Sequence, residues 1–265
     1  MLAQLAAMAD QQLPAKHPQV LPFAWPPEAG VTNHFVKVFH RRKGVAQLKD
    51  LWGQSKARRF WRQGLALNEA GFNVPTTVVF GEKRRGGLPE RSLVLTKTID
   101  GQPAPSYLAS LNYSRDNRAQ LKMKRGALAQ LAAVVRRFHD LGFVHGDLVA
   151  TNIFVVGQSA ESLAFYLMDN DRSQRYSPWL TVYLRKRNLV QLNRMPLPHL
   201  TLQDRMRFLH GYFGVAKLTR RHCRFARWLE RRTRQRRNEC DGINPNGSFR
   251  ELMRWVPVAT HSQNN

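Results

Sequence analysis

Only two cysteines, Cys223 and Cys240, stand among the 265 residues. They are too few for a disulfide framework and lack metal-ligand spacing, so both read as reduced thiols in a cytosolic protein. Acidic residues are scarce: 18 Asp and Glu face 42 Lys and Arg, a formal net charge of +24. Such a balance is a poor match for cationic partners and favours nucleic acid, an anionic membrane surface or a polyanionic substrate. No apolar run approaches the roughly 20 residues that span a bilayer, so any membrane contact is expected to be peripheral. The first ten residues have no basic start and reach Asp10 early, which argues against a signal peptide. Internal repeats and long low-complexity segments are also missing.

What is there suits a globular chain. Apolar content is 43%, and the length can bury a core as one domain of two lobes or as two small domains. Residues 1–30 read as a weak helix and a stretch with Pro14, Pro18, Pro22, Pro26 and Pro27, with room for one strand before Phe35. His34–Phe39 reads as a strand carrying Lys37 among apolar residues, and Arg41, Arg42 and Lys43 follow it. Ser55 is an N-cap for a helix to Ala70, stopped by Gly71. Thr76–Phe80 and Ser92–Ile99 read as strands joined through Gly86-Gly87.

The pattern then turns helical. Ser114 is the expected cap of a long helix to about Leu141, with Leu121, Leu128, Leu131, Val135 and Phe138 on one face and Gly142 as its stop. Ile153–Val156 and Ala164–Met168 read as a hairpin. From Pro178 onward the chain is helical and basic, with helices over Leu202–Phe213 and Lys217–Arg237. In the tail, Phe249, Leu252, Met253 and Trp255 are expected to pack back on the body.

The chemistry concentrates between the long helix and the end of the hairpin. His145-Gly-Asp147 is followed by Asn152 at the fifth position after the Asp, and Asp169 comes seventeen residues later. Phosphoryl transfer needs a carboxylate to take the hydroxyl proton, hard oxygen ligands for Mg²⁺ and a lysine to neutralise phosphate charge. Asp147 fits the first role, Asn152 and Asp169 the second, Lys37 the third. A plain turn in which Asp147 only accepts backbone hydrogen bonds explains His145-Gly-Asp147 alone. It does not explain Asn152, the apolar strands and Asp169 together. Asp171 reads either as a further metal ligand or as a partner of Arg172.

These features resemble the protein-kinase-like superfamily in its small bacterial branch, and specifically the lipopolysaccharide kinases of inner-core heptose or 3-deoxy-octulosonic acid (Kdo). The matching stretches are Phe35-Val-Lys37-Val, Ser55-Lys-Ala-Arg-Arg59 with Trp61, Asn68 to Pro75, Val144-His-Gly-Asp147 with Asn152-Ile-Phe, Leu167-Met-Asp-Asn-Asp-Arg172, and Arg205-Met-Arg-Phe-Leu209 with Tyr212. The resemblance implies an α+β fold of two lobes: a β-rich, nucleotide-covering N-lobe over 1–99, a hinge near Thr96–Gly101, and a helical C-lobe over 100–265. It implies Asp147 as catalytic base, Asn152 and Asp169 as Mg²⁺ ligands and Lys37 as the ATP phosphate lysine, with ATP and Mg²⁺ as cofactors. The implied partner is the lipopolysaccharide core or a lipid-linked precursor, met on an anionic membrane surface, rather than nucleic acid. The implied place is the cytoplasm, peripheral on the inner face of the inner membrane.

The chain departs from the pattern in three ways. No glycine-rich loop precedes Lys37, since Gly30 stands alone. Phe60 occupies the helix position where the family tends to carry an acid, and Glu69 lies near the helix end. The metal motif is Asp-Asn-Asp, so no kinase-type activation segment is implied. Other acceptors remain open on these residues, a protein or a small molecule, as does a kinase-like module that only binds anionic lipid or nucleic acid.

Overall fold

A computed structural model describes Leu5, Ala7 and residues 19–24, 33–40, 54–111, 117–157, 159, 162–194 and 200–243. Gly30, Arg41 to Lys43, Ser114 and the tail residues Phe249, Leu252, Met253 and Trp255 lie outside the described residues, as do the prolines other than Pro22 before residue 30. The chain divides into two compact units. One comprises Met1–Gly101, His145–Asp147 and Tyr166–Gln174, the other the remainder.

The first unit is a four-stranded antiparallel sheet with one helix. Its elements are β1 (Gln19–Phe23), β2 (His34–His40), α1 (Lys56–Glu69), β3 (Thr77–Arg85) and β4 (Leu88–Lys97), in sheet order β1-β2-β4-β3. Alternation along β2 explains its place. Val36 and Val38 point to one face and pack with Leu5, Phe23 and Leu95; Phe39 points to the other and packs with Val94 and with Ala57 and Phe60 of α1. Lys37 shares the Phe39 side. The strand anticipated before Phe35 is β1, and Pro22 fits it because an edge strand tolerates a missing N–H. Gly86 and Gly87, both at positive φ, make the two-residue turn between β3 and β4.

Ser55 caps α1 as expected, accepting the Arg58 N–H at 3.1 Å. Gly71 follows the helix at φ 76°, and the Phe72 N–H returns to the Leu67 carbonyl at 2.9 Å. This is a glycine-terminated helix end. It delivers Asn73, whose carbonyl accepts the Leu167 N–H at 2.9 Å.

The second unit is mainly helical. It contains β5 (Gln102–Pro103), α2 (Ala104–Ser110), α3 (Arg118–Asp140), β6 (Phe143–Val144), β7 (Ile153–Val156), β8 (Ala164–Leu167), β9 (Gln174–Arg175), α4 (Pro178–Asn193), α5 (Leu202–Phe213) and α6 (Arg220–Ile243). The last two residues of β8 and the first of β9 belong to the first unit. Helix α3 starts later than the sequence suggests. Asn117, whose side chain accepts the Gln120 N–H, is the cap rather than Ser114. Leu128, Leu131, Val135 and Phe138 are buried as their spacing requires, while Leu121 is only half-buried.

Against α3 lies α5, opened by a capping box in which Thr201 and Asp204 bond each other's backbone N–H groups. Asp204 also meets Lys124 at 2.5 Å, with both side chains under 5% exposed. Lysine on the apolar face of α3 is not an expectation of helical periodicity. It is accommodated because its charge and hydrogen bonds are met.

Candidate active site

Lys37 leaves β2 toward α1. Its ammonium lies 5.4 Å from the ring centre of Phe39 and 5.9 Å from that of Phe60. It donates to the Asp169 carboxylate, an ion pair with the lysine 18% and the aspartate 41% exposed. The absent helix acid is thus replaced by two things: aromatic faces that attract the cation, and Asp169 itself. Glu69 is exposed at the end of α1, as its position suggested.

Asp169 adopts φ 56°, ψ 47°, the left-handed region, and is the only non-glycine residue with positive φ among the described residues. Such strain is held in place by neighbours and concentrates at functional positions. The neighbours here are specific. Asn170 is 1% exposed and donates to the Leu167 carbonyl at 2.6 Å. Burial raises the Asp169 carboxyl, but the Lys37 charge and hydrogen bond outweigh it and hold the group below the usual range. Asp171 is also buried and hydrogen-bonds Asp169; burial, then the Asp169 charge, push its carboxyl above the usual range.

His145 ties this turn to the loop that carries Asp147. The ring is 1% exposed. Its Nε2 donates to the Met168 carbonyl at 2.8 Å, and its Nδ1 accepts the Asp147 N–H at 3.0 Å. One neutral imidazole thus sets the backbone on both sides, and burial lowers its pKa, which keeps it neutral. Gly146 lets the two loops meet: a Cβ there would lie 2.1 Å from Arg172 Cβ and 3.0 Å from its carbonyl oxygen. The glycine in His-Gly-Asp is thus a packing requirement.

The four residues singled out from sequence are not equally placed. Lys37 and Asp169 touch. Asp147 is joined to the Asp169 turn through His145 and the Met168 carbonyl. Asn152 closes a short 3-10 turn, Ala150–Asn152, and belongs to the second unit with its N–H on the Val149 carbonyl at 2.9 Å.

Sequence reasoning missed a relay in that second unit. Tyr212 lies 2.8 Å from His139 Nδ1, His139 Nε2 lies 3.3 Å from Asn188 Oδ1, and Asn188 donates to Gln191 Oε1 at 3.0 Å. Gln191 Oε1 then accepts the Leu148 N–H at 3.3 Å, one residue beyond Asp147. Burial lowers His139 to about 4 and raises Tyr212 to about 12, so both are neutral near pH 7. No periodicity marks this relay, because its members come from α3, α4 and α5. The one signal was His139 on the mainly apolar face of α3, which also carries Lys124.

Chemically, an amide and carboxylates are hard oxygen donors of the kind that hold Mg²⁺, and Asp169 already carries a cation on its oxygen in the form of the Lys37 ammonium. Asp169 is therefore a donor suited to a divalent metal.

The model of the lipopolysaccharide kinase (Kdo/WaaP) family matches residues 24–212. The lipopolysaccharide core heptose(I) kinase WaaP of Pseudomonas aeruginosa is 25% identical over 214 residues, 76% of this chain and 77% of that protein. A solved structure of WaaP in complex with acyl carrier protein superposes with a TM-score of 0.64 at 22% identity, covering 88% of this chain and 92% of that one. The fold is therefore shared with WaaP, and the expected α+β class, with a β-rich first part and a helical remainder, holds.

Proposed function

This chain belongs to the lipopolysaccharide kinase (Kdo/WaaP) family, and we propose that it is an ATP-dependent kinase that phosphorylates a hydroxyl of heptose or Kdo in the lipopolysaccharide inner core. The observation that carries the reading is the coupling of Lys37, Asp169 and the Asp147 loop through the ion pair and through His145. The acceptor oxygen bonds to the γ-phosphorus, the bond to the β,γ-bridging oxygen breaks, and ADP leaves. Asp147 takes the hydroxyl proton. Lys37 neutralises phosphate charge and is delivered by β2. Asn152 and Asp169 would hold Mg²⁺, which supplies charge neutralisation on the phosphates when bound. We assign residues 1–99 to the nucleotide-covering lobe and 100–265 to the helical lobe with the catalytic loop and the basic C-terminal region.

The likeness to the heptose(I) kinase of Pseudomonas aeruginosa favours heptose over Kdo. The formal charge of +24 supports a phosphorylated, lipid-borne acceptor at an anionic membrane, with the protein peripheral on its cytoplasmic face. The test is turnover of Mg·ATP with purified core acceptor. Phosphate on heptose or Kdo, seen by mass spectrometry for the wild type and lost in Asp147→Asn, is the expected result; an unmodified core with both proteins rejects it.

We also propose an acyl carrier protein as a partner, by extension from the WaaP complex with acyl carrier protein. An apolar cavity of about 690 Å³ supports it, lined by Leu128, Leu131, Leu189, Leu192 and Phe208 and edged by Arg227 and Arg231. Acylated carrier protein is expected to co-elute with the kinase and the unacylated form to do so less; absent co-elution rejects the partner, and equal co-elution rejects the cavity as the place it is held.

A further inference from the structure

Helix α4 has apolar residues on two sides. Leu189, Val190 and Leu192 are buried within the second unit, together with Thr181 and Asn188. Elsewhere on the helix, Trp179, Val182 and Tyr183 are 76%, 57% and 74% exposed. They stand at i, i+3 and i+4, with exposed Lys186 at i+7, so all four share one face. Large exposed rings grouped in this way mark an interaction surface more often than scattered surface apolar residues do.

The face continues onto α6. Lys186 Nζ lies 5.6 Å from the ring centre of Trp228, and Arg224 and Arg232, one turn to either side of Trp228, are exposed. No acidic residue occurs in α4, and the nearest acid of α6, Glu230, is engaged by Arg234 and Asn193. The result is an aromatic-aliphatic ridge flanked by Lys186, Arg224 and Arg232, and the acid that reaches α4 from α3, Asp140, is paired with Arg185 and Arg136.

We propose that this ridge docks the protein onto an anionic lipid surface, with Trp179, Val182 and Tyr183 entering the headgroup layer and Lys186, Arg224 and Arg232 resting on lipid phosphates. The proposal rests on the lipopolysaccharide-kinase reading for which lipid is met, and on the ridge alone for the surface used. Trp and Tyr combine an apolar body with a polar edge and settle at membrane–water interfaces, and basic side chains beside them add attraction to anionic lipid. Single-stranded nucleic acid would also stack on the rings, but that mode gives aliphatic Val182 no role.

The experiment is co-sedimentation of the full-length protein with phosphatidylcholine vesicles, with and without phosphatidylglycerol. Wild type is expected to bind the phosphatidylglycerol vesicles selectively. Trp179→Ser with Tyr183→Ser should weaken that binding about tenfold or more, and Trp179→Phe should retain most of it. These side chains are exposed, so circular dichroism should be unchanged. Binding that is indifferent to the rings, or equal on neutral vesicles, overturns the proposal. So does a single-stranded oligonucleotide that binds in a ring-dependent way and competes the vesicles off, or a wild-type dimer that the ring variant dissolves. Phosphorylation of a soluble, deacylated core acceptor should be the same for wild type and ring variant. If no core acceptor is phosphorylated but ring-dependent vesicle binding persists, the kinase reading fails and the docking surface stands.

Discussion

The Lys37 ammonium rests on the Asp169 carboxylate, with the ring centre of Phe60 5.9 Å away. The lysine on β2 is thus oriented by the aspartate proposed to hold the metal. Replacing Lys37 by Met should lower kcat/KM by about 10²- to 10³-fold, the usual cost of losing one charge-stabilising donor. It should also raise the Asp169 pKa toward the ordinary carboxylate value, because the interaction that holds it down is gone. Carboxylate-detected NMR titration checks the second effect; an unmoved Asp169 would show that the ion pair is not what depresses it.

Asp147→Asn should keep the fold, since the backbone N–H that bonds His145 is untouched. Its kcat is expected to fall by about 10²- to 10⁴-fold with little change in nucleotide affinity. Steady-state kinetics alongside a nucleotide-binding titration separates the two. Retained kcat would remove Asp147 from the base role.

Gly146→Ala must part the loops that carry Asp147 and Asp169, because the new methyl meets Arg172. A loss of about 1–3 kcal/mol is expected, with a disproportionate loss of kcat. Gly64→Ala is the control: it lies inside α1 with nothing within 4 Å of the added methyl, and should stabilise by about 0.5–1 kcal/mol. Denaturant titrations of the two variants should therefore move in opposite directions.

Stability should fall on mild acidification. His139 is fully buried and its pKa in the fold is about 4, against 6.5 as the ordinary value. A histidine held neutral contributes stability that is complete above its unfolded pKa and is lost as pH falls toward the folded one. The window is therefore pH 6.5 down to about 4, and the gap corresponds to roughly 3 kcal/mol. His145 acts in the same direction. Urea unfolding at several pH values should show a shallower slope in His139→Gln; identical slopes would assign the acid sensitivity elsewhere.

The buried Lys124–Asp204 pair predicts non-additivity. Lys124→Met leaves a buried carboxylate with less compensation and should cost about 3–5 kcal/mol. Adding Asp204→Asn, which keeps an oxygen for the Thr201 cap, should recover part of that loss. A double variant no better than the sum of the singles would deny the coupling.

Much of this protein was readable along the chain. Ser55, Gly71, Gly86-Gly87 and Gly142 act locally, so their caps and turns follow from residue type. The face of α3 and the alternation of β2 follow from the periods of helix and strand. The order of Lys37, Asp147, Asn152 and Asp169 pointed to a phosphotransferase, and Asp169-Asn-Asp171-Arg172 with the basic C-terminal region pointed to the family. What required the tertiary structure is everything set by contact between distant segments: Lys37 on Asp169, His145 between two loops, Gly146 against Arg172, and the relay from Tyr212 to Leu148. Asn117 in place of Ser114 as the cap of α3 shows the limit even locally, since two good capping residues stand three apart. Side chains from separate elements meet only after the core has placed those elements, and no spacing in sequence encodes that distance.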